Sequence, residues 1–140
     1  MRSLSLSGVL LVATLAVAPV ASAADVPPDR VVATAWFEAL LRGDLEAVYP
    51  LVAAPFWFDG KEAVPTKEGV DEKMRAVVRE KGPRKVPEYR TETPEDAAPL
   101  DPKVFPAYTV VRFRIGDERV DVYVSAGGGG AAPKVIGFLD

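Results

Sequence analysis

Asp59 has the neighbours that best prepare a side chain for chemistry. It follows Phe56-Trp57-Phe58 and precedes Gly60. A carboxylate beside three aromatic rings loses hydration, and its pKa rises toward a range where it can exchange protons near neutrality. The same Asp-Gly pair is one of the commonest turn signals, because both residues tolerate a positive φ. A second group is Arg112, Arg114, Asp121 and Tyr123, which alternate along two stretches separated by Gly116-Asp117. On neighbouring strands of a hairpin these four share one face. Lining a pocket, the arginines would hold a carboxylate or phosphate. Facing water, the group would be a charge ladder of small energetic weight. The alternation favours water, since Val111, Phe113, Val122 and Val124 must fill the other face.

The missing residue types narrow the chemistry further. The 140 residues include no His, Cys, Asn or Gln, and beyond Ser22 the single serine is Ser125. A Ser-His-Asp triad and a Cys-His pair are excluded. Zinc and copper sites draw on His or Cys in most cases, so no metal is expected, and no motif calls for a cofactor. Gly127 to Gly130 lacks the Gly-Lys-Ser/Thr ending of a phosphate-binding loop. The bases between Lys73 and Arg90 are followed at once by Glu92, Glu95, Asp96 and Asp101, and the net charge is −3. Without aromatic interleaving or basic excess, this stretch reads as solvated surface and no nucleic-acid partner is expected.

Residues 1–24 have the pattern of a secretory leader. Arg2 supplies a positive start, Leu4 to Val20 is apolar and uncharged, and Ala21-Ser22-Ala23 is a small-residue cleavage site. The apolar run is short and contains Pro19, which argues for cleavage near Ala23 rather than a retained anchor. The expectation is an exported protein, periplasmic or extracellular, with no stable membrane anchor after cleavage. Residues 25–140 then form a single domain of ~116 residues, enough for one core.

Hydrophobic spacing predicts the elements. Asp29 is placed to cap a first helix whose apolar face is Val32, Ala35, Trp36, Ala39 and Leu40, broadened by Phe37 and Leu41. Gly43 ends it and Asp44 caps a second, short helix that Pro50 shortens or bends. Pro55 opens a strand, Phe56 to Phe58, which turns at Asp59-Gly60. Thr66 caps a third helix from Lys67 to Lys81, buried through Val70, Met74, Val77 and Val78 and stopped by Gly82-Pro83. Lys85 to Thr93 is a candidate strand interrupted by Pro87, and residues 94–106 are a polar, proline-rich loop without periodicity. Tyr108 to Ile115 and Arg119 to Ser125 alternate as a hairpin, Gly127 to Gly130 is a second tip, and Val135 to Leu139 is a last strand.

Helices followed by antiparallel strands define an α+β class, with about three helices packed on a curved antiparallel sheet. The stretch from Trp36 to Gly60, with its Gly43-Asp44 break and aromatic strand reaching Asp59, and the closing Lys134-Val135-Ile136-Gly137-Phe138, resemble the NTF2-like family. This is the family of SnoaL-like and ketosteroid-isomerase-like α+β cones. The resemblance implies a cone whose pocket mouth is lined by Trp36, Phe56, Trp57 and Phe58, with Arg112, Arg114 and Tyr123 as further candidates. In the isomerase branch an Asp at the place of Asp59 is a general base, and Trp36 stands near an oxyanion-holding Tyr. Trp donates one N–H and is no acid, so the catalytic set is incomplete here. The resemblance also implies a sheet face able to carry a homodimer contact.

The family holds enzymes and binding modules alike. The expectation is a non-enzymatic module for a small apolar or anionic molecule, or for a protein partner. The alternatives are an isomerase, cyclase or dehydratase using Asp59 as base with Tyr123 or an arginine polarising a carbonyl, and an interaction domain whose pocket the aromatics plug.

Overall fold

The computed structural model describes residues 26–127 and 130–140. The segment expected to be a leader therefore lies outside the described residues, as does part of the tip between Gly127 and Gly130. Helix α1 spans Pro28–Arg42. Proline suits this first helical position, where the missing N–H has no partner to lose. Pro27, not Asp29, holds the cap position. Asp29 sits in the first turn, where the helix dipole favours an acid, and accepts a 2.7 Å hydrogen bond from the Thr109 hydroxyl. Gly43 ends the helix in the left-handed region at φ 75°. The buried stripe is Ala33, Trp36, Phe37 and Ala39, while Ala35 is exposed. Phe37 has more apolar area to hide than Ala35, and the helix is rotated to bury it.

The Asp44 carboxylate accepts from the Ala47 N–H at 3.3 Å and starts α2, Leu45–Val48. A 3-10 turn at Tyr49–Leu51 accommodates Pro50. Strand β1, Val52–Phe58, begins earlier than expected and carries Pro55 within it. Strand β2, Glu62–Val64, is too short to show alternation in the sequence. Helix α3, Lys67–Lys81, has the expected limits, with the Thr66 hydroxyl accepting from the Gly69 N–H at 3.1 Å. Strand β3 is reduced to Arg90–Glu92, and β4 (Tyr108–Ile115), β5 (Glu118–Ser125) and β6 (Val135–Leu139) follow.

The strands form one sheet in the order β2-β1-β6-β5-β4-β3. It is mixed, where the sequence suggested antiparallel pairing throughout, because β1 runs parallel to β6. At their junction Trp57 lies opposite Gly137. A Cβ at Gly137 would fall 2.9 Å from the Trp57 Cβ and 3.0 Å from its carbonyl oxygen, so only glycine lets the two strands approach this closely. The helices cover one face of the sheet, giving the α+β cone architecture. Trp36, Phe37, Phe56, Met74 and Phe113 form its core, and the Phe37 and Phe113 rings stack at 4.2 Å.

The opposite face is covered too. Leu100 and Phe105 pack there with Tyr123 and Ile136, against Trp57 and Tyr108. Residues 94–106, expected to be a polar loop, thus form a strap across the outer side of the sheet.

Candidate functional site

A cleft of about 420 Å³ opens between α1, α3 and the inner face of the sheet. Its floor is built by side chains that sit at the margins of the apolar stripes. Leu40 and Leu41 come from α1, Val77 from α3, and Phe58 and Phe138 from neighbouring strands. Each is half-buried, facing the open cleft. The rings cluster around Phe138: Phe58 meets it edge-on at 5.1 Å, and Trp36 lies at 5.9 Å. Trp36 is 1% exposed, and its Nε1 is buried with no hydrogen-bond partner.

Charges lie at the rim. Lys73, Lys81 and Arg84 stand against Asp59, Glu80 and Asp140, so the signs balance. Lys73 is already engaged, with its Nζ 2.7 Å from Glu62 and 5.2 Å from the centre of the Phe58 ring.

Asp59 belongs to this rim, but the turn governs it. The Lys61 N–H donates to the Phe58 carbonyl at 3.0 Å, and the two central residues have φ of 50° (Asp59) and 68° (Gly60). Two positive φ values in succession match the tight turn that joins antiparallel strands. The carboxylate accepts the Asp140 N–H at 3.2 Å, lies 3.8 Å from Lys61 Nζ, and keeps 30% exposure. Water and these partners reach it, so the aromatic run does not desolvate it as its sequence position suggested. Phe56 and Phe58 point to the inner side, whereas Trp57 faces the outer one, as strand alternation requires.

Arg112, Arg114 and Tyr123 do not line the cleft. They lie on the outer face, and two of the three are buried there rather than solvated. Arg112 is 2% exposed and donates to Asp121 twice, at 2.6 and 2.9 Å. Its third contact is a 2.8 Å ion pair with Asp96 of the strap. These carboxylates hold the guanidinium well above its ordinary pKa, with the Asp121 hydrogen bonds as the largest cause. Tyr123 is fully buried and its hydroxyl donates to the Ala98 carbonyl at 2.6 Å. Burial pushes its pKa up to about 12. Arg114 pairs with Glu92 at 2.9 Å. The sequence places all three on one face correctly; what it does not show is the strap that closes over that face.

The lining residues that sequence reasoning missed include Leu41, Val77, Val120 and Phe138. A signal was present in the helices. Their apolar stripes are wider than one neighbour can cover, and the surplus falls at the edges. Among the uncharged residue types lining the cleft, Trp36 carries the polar group, a single N–H donor that is no acid. Among the described residues no group of three or more His, Cys, Asp or Glu is placed to hold a metal ion, and no helix is long and apolar enough to cross a membrane.

No protein-family model and no curated protein matches the chain. Among solved structures it is similar to the β subunit of the benzoate 1,2-dioxygenase of Burkholderia mallei. The identity is 16%, over 79% of this chain and 85% of that one, with a TM-score of 0.41.

Proposed function

We propose that this is an exported, non-enzymatic binding domain that holds a small, largely apolar molecule in the cleft between α1, α3 and the sheet. The observation that carries the reading is the cleft itself, about 420 Å³ over a floor of Phe58, Phe138, Leu40 and Leu41. Ligand sites commonly enclose ~300–1,000 Å³ of mostly apolar lining. Balanced rim charges leave selection to shape and apolar contact. An anionic group fits beside Lys81 and Arg84 but is not required. Export rests on the leader features of residues 1–24. The enzymatic alternative, with Asp59 as base, has less support, because its carboxylate is occupied by the Asp140 N–H and partly solvated.

The test is titration with an uncharged fluorescent probe, N-phenyl-1-naphthylamine. Ala76 lines the cleft and is exposed, so Ala76→Trp narrows the cleft without disturbing the core. The native chain should bind the probe, Ala76→Trp should lose roughly tenfold or more in affinity, and Asp59→Ala should bind as the native chain does. No binding by the native chain, or equal binding by Ala76→Trp, would end this reading.

A further inference from the structure

The contacts between the strap and the sheet have the form of an extended peptide held in a site. Three alternate strap positions reach side chains of β4 and β5. The Asp96 carboxylate accepts from Arg112 Nη1 at 2.8 Å. The Ala98 carbonyl accepts from the Tyr123 hydroxyl at 2.6 Å, and the Leu100 N–H donates to the Tyr108 hydroxyl at 2.9 Å. Leu100 is 6% exposed, and Phe105 fills a second apolar place at 4% after a turn at Asp101. Residues 97–100 form no ladder with the sheet. The segment is therefore held by side chains gripping its main chain, one carboxylate and two large apolar groups. None of these contacts requires it to be part of the same chain.

We propose that the outer face of β4, β5 and β6 recognises an extended peptide of a partner protein, with a carboxylate four residues ahead of a large apolar side chain, and that residues 94–107 occupy this site in cis as a built-in competitor. Charge complementarity selects an acidic partner. Asp121 takes two donors of Arg112 and leaves Nη1 for a further carboxylate, and Arg119 lies 3.7 Å from the second Asp96 oxygen. Buried Tyr123 and half-buried Tyr108, with ring centres 5.5 Å apart, supply one hydroxyl donor and one hydroxyl acceptor at fixed spacing. A tethered competitor has a high effective concentration, so a free peptide gains access as the strap is loosened.

The probe is a fluorescein-labelled peptide of residues 94–107, PEDAAPLDPKVFPA, titrated by polarisation against the full chain and against a Leu100→Ser/Phe105→Ser variant. The variant should bind it roughly tenfold or more tightly than the native chain, and a peptide carrying Asp96→Ala should bind the variant more weakly. Equal binding to both chains, or no binding to a variant that still melts cooperatively, overturns the proposal. So does dimerisation of the variant in sedimentation without peptide capture, which would make a second copy the occupant. If the variant does not fold, hydrogen exchange of the native chain decides. Strap amides exchanging at least ~10 times faster than those of β4 and β5 show a segment that leaves the sheet intact and support the site. Exchange of strap, β4 and β5 only together overturns it.

Discussion

Arg112 and Asp121 face each other across β4 and β5, 2% and 3% exposed, and are joined by two hydrogen bonds of 2.6 and 2.9 Å. The guanidinium and the carboxylate meet fork to fork, the geometry in which an ion pair repays most of its lost hydration. Asp96 completes the arginine from the strap side. The pair therefore links the sheet to its outer cover.

Removing one member should cost far more than replacing both. Arg112→Ala leaves Asp121 buried without its partner, and a loss of ~3–5 kcal/mol is expected. The double change Arg112→Met/Asp121→Leu should recover much of that stability. Chemical denaturation of the three chains checks this, and a double variant weaker than both singles would show that the pair is worth more than apolar packing.

Gly137→Ala should destabilise through backbone crowding. Its Cβ would meet Trp57 at 2.9 Å (Cβ) and 3.0 Å (carbonyl oxygen), and neither atom can swing away as a side-chain tip does. Overpacking of this kind costs ~1–3 kcal/mol. A thermal melt reads the effect, with the exposed Ala76→Ser as a control of unchanged stability.

Stability should fall as pH rises from 10 to 12. Burial raises the pKa of Tyr123 to about 12, and burial together with its hydrogen bond to Glu38 raises that of Tyr89 to about 12. The unfolded chain releases these protons near pH 10 while the folded chain retains them. The contribution is thus complete below pH 10 and lost progressively toward pH 12. For fully buried Tyr123 it amounts to ~2–3 kcal/mol. Tyr123→Phe should flatten the fall, and denaturation midpoints across that range test it.

Expression with the leader intact in a secreting bacterial host should yield a chain beginning at Ala24 or Asp25. Intact mass of the exported fraction reads the cleavage site directly. A retained leader in a membrane fraction would instead make it an anchor.

Helix limits were legible because their end signals are local. Thr66 and Gly82 bracket α3, and Gly43-Asp44 both stops α1 and starts α2. The β4–β5 alternation was equally plain, since one face of each strand had to be apolar. Proline misled the reading at β1, where Pro55 lies inside the strand rather than at its start. The roles of Arg112 and Tyr123 were not legible for a different reason. Tyr123 is covered by Leu100 and Phe105 and Arg112 is met by Asp96, all from a polar, proline-rich stretch that generates no periodic signal. For Asp59 the turn signal was stronger than its aromatic neighbours, because backbone conformation is set within four residues whereas desolvation depends on the whole fold.

The strand order puts β2 and β3 outermost, and each is three residues long. Arg90 and Glu92 place charge at both ends of β3. Short, charged borders give another polypeptide little backbone to pair with, which is how natural sheets avoid growing into aggregates. A chain with no cysteine, and so no disulfide to hold it closed, gains from such borders a means of staying separate from its neighbours.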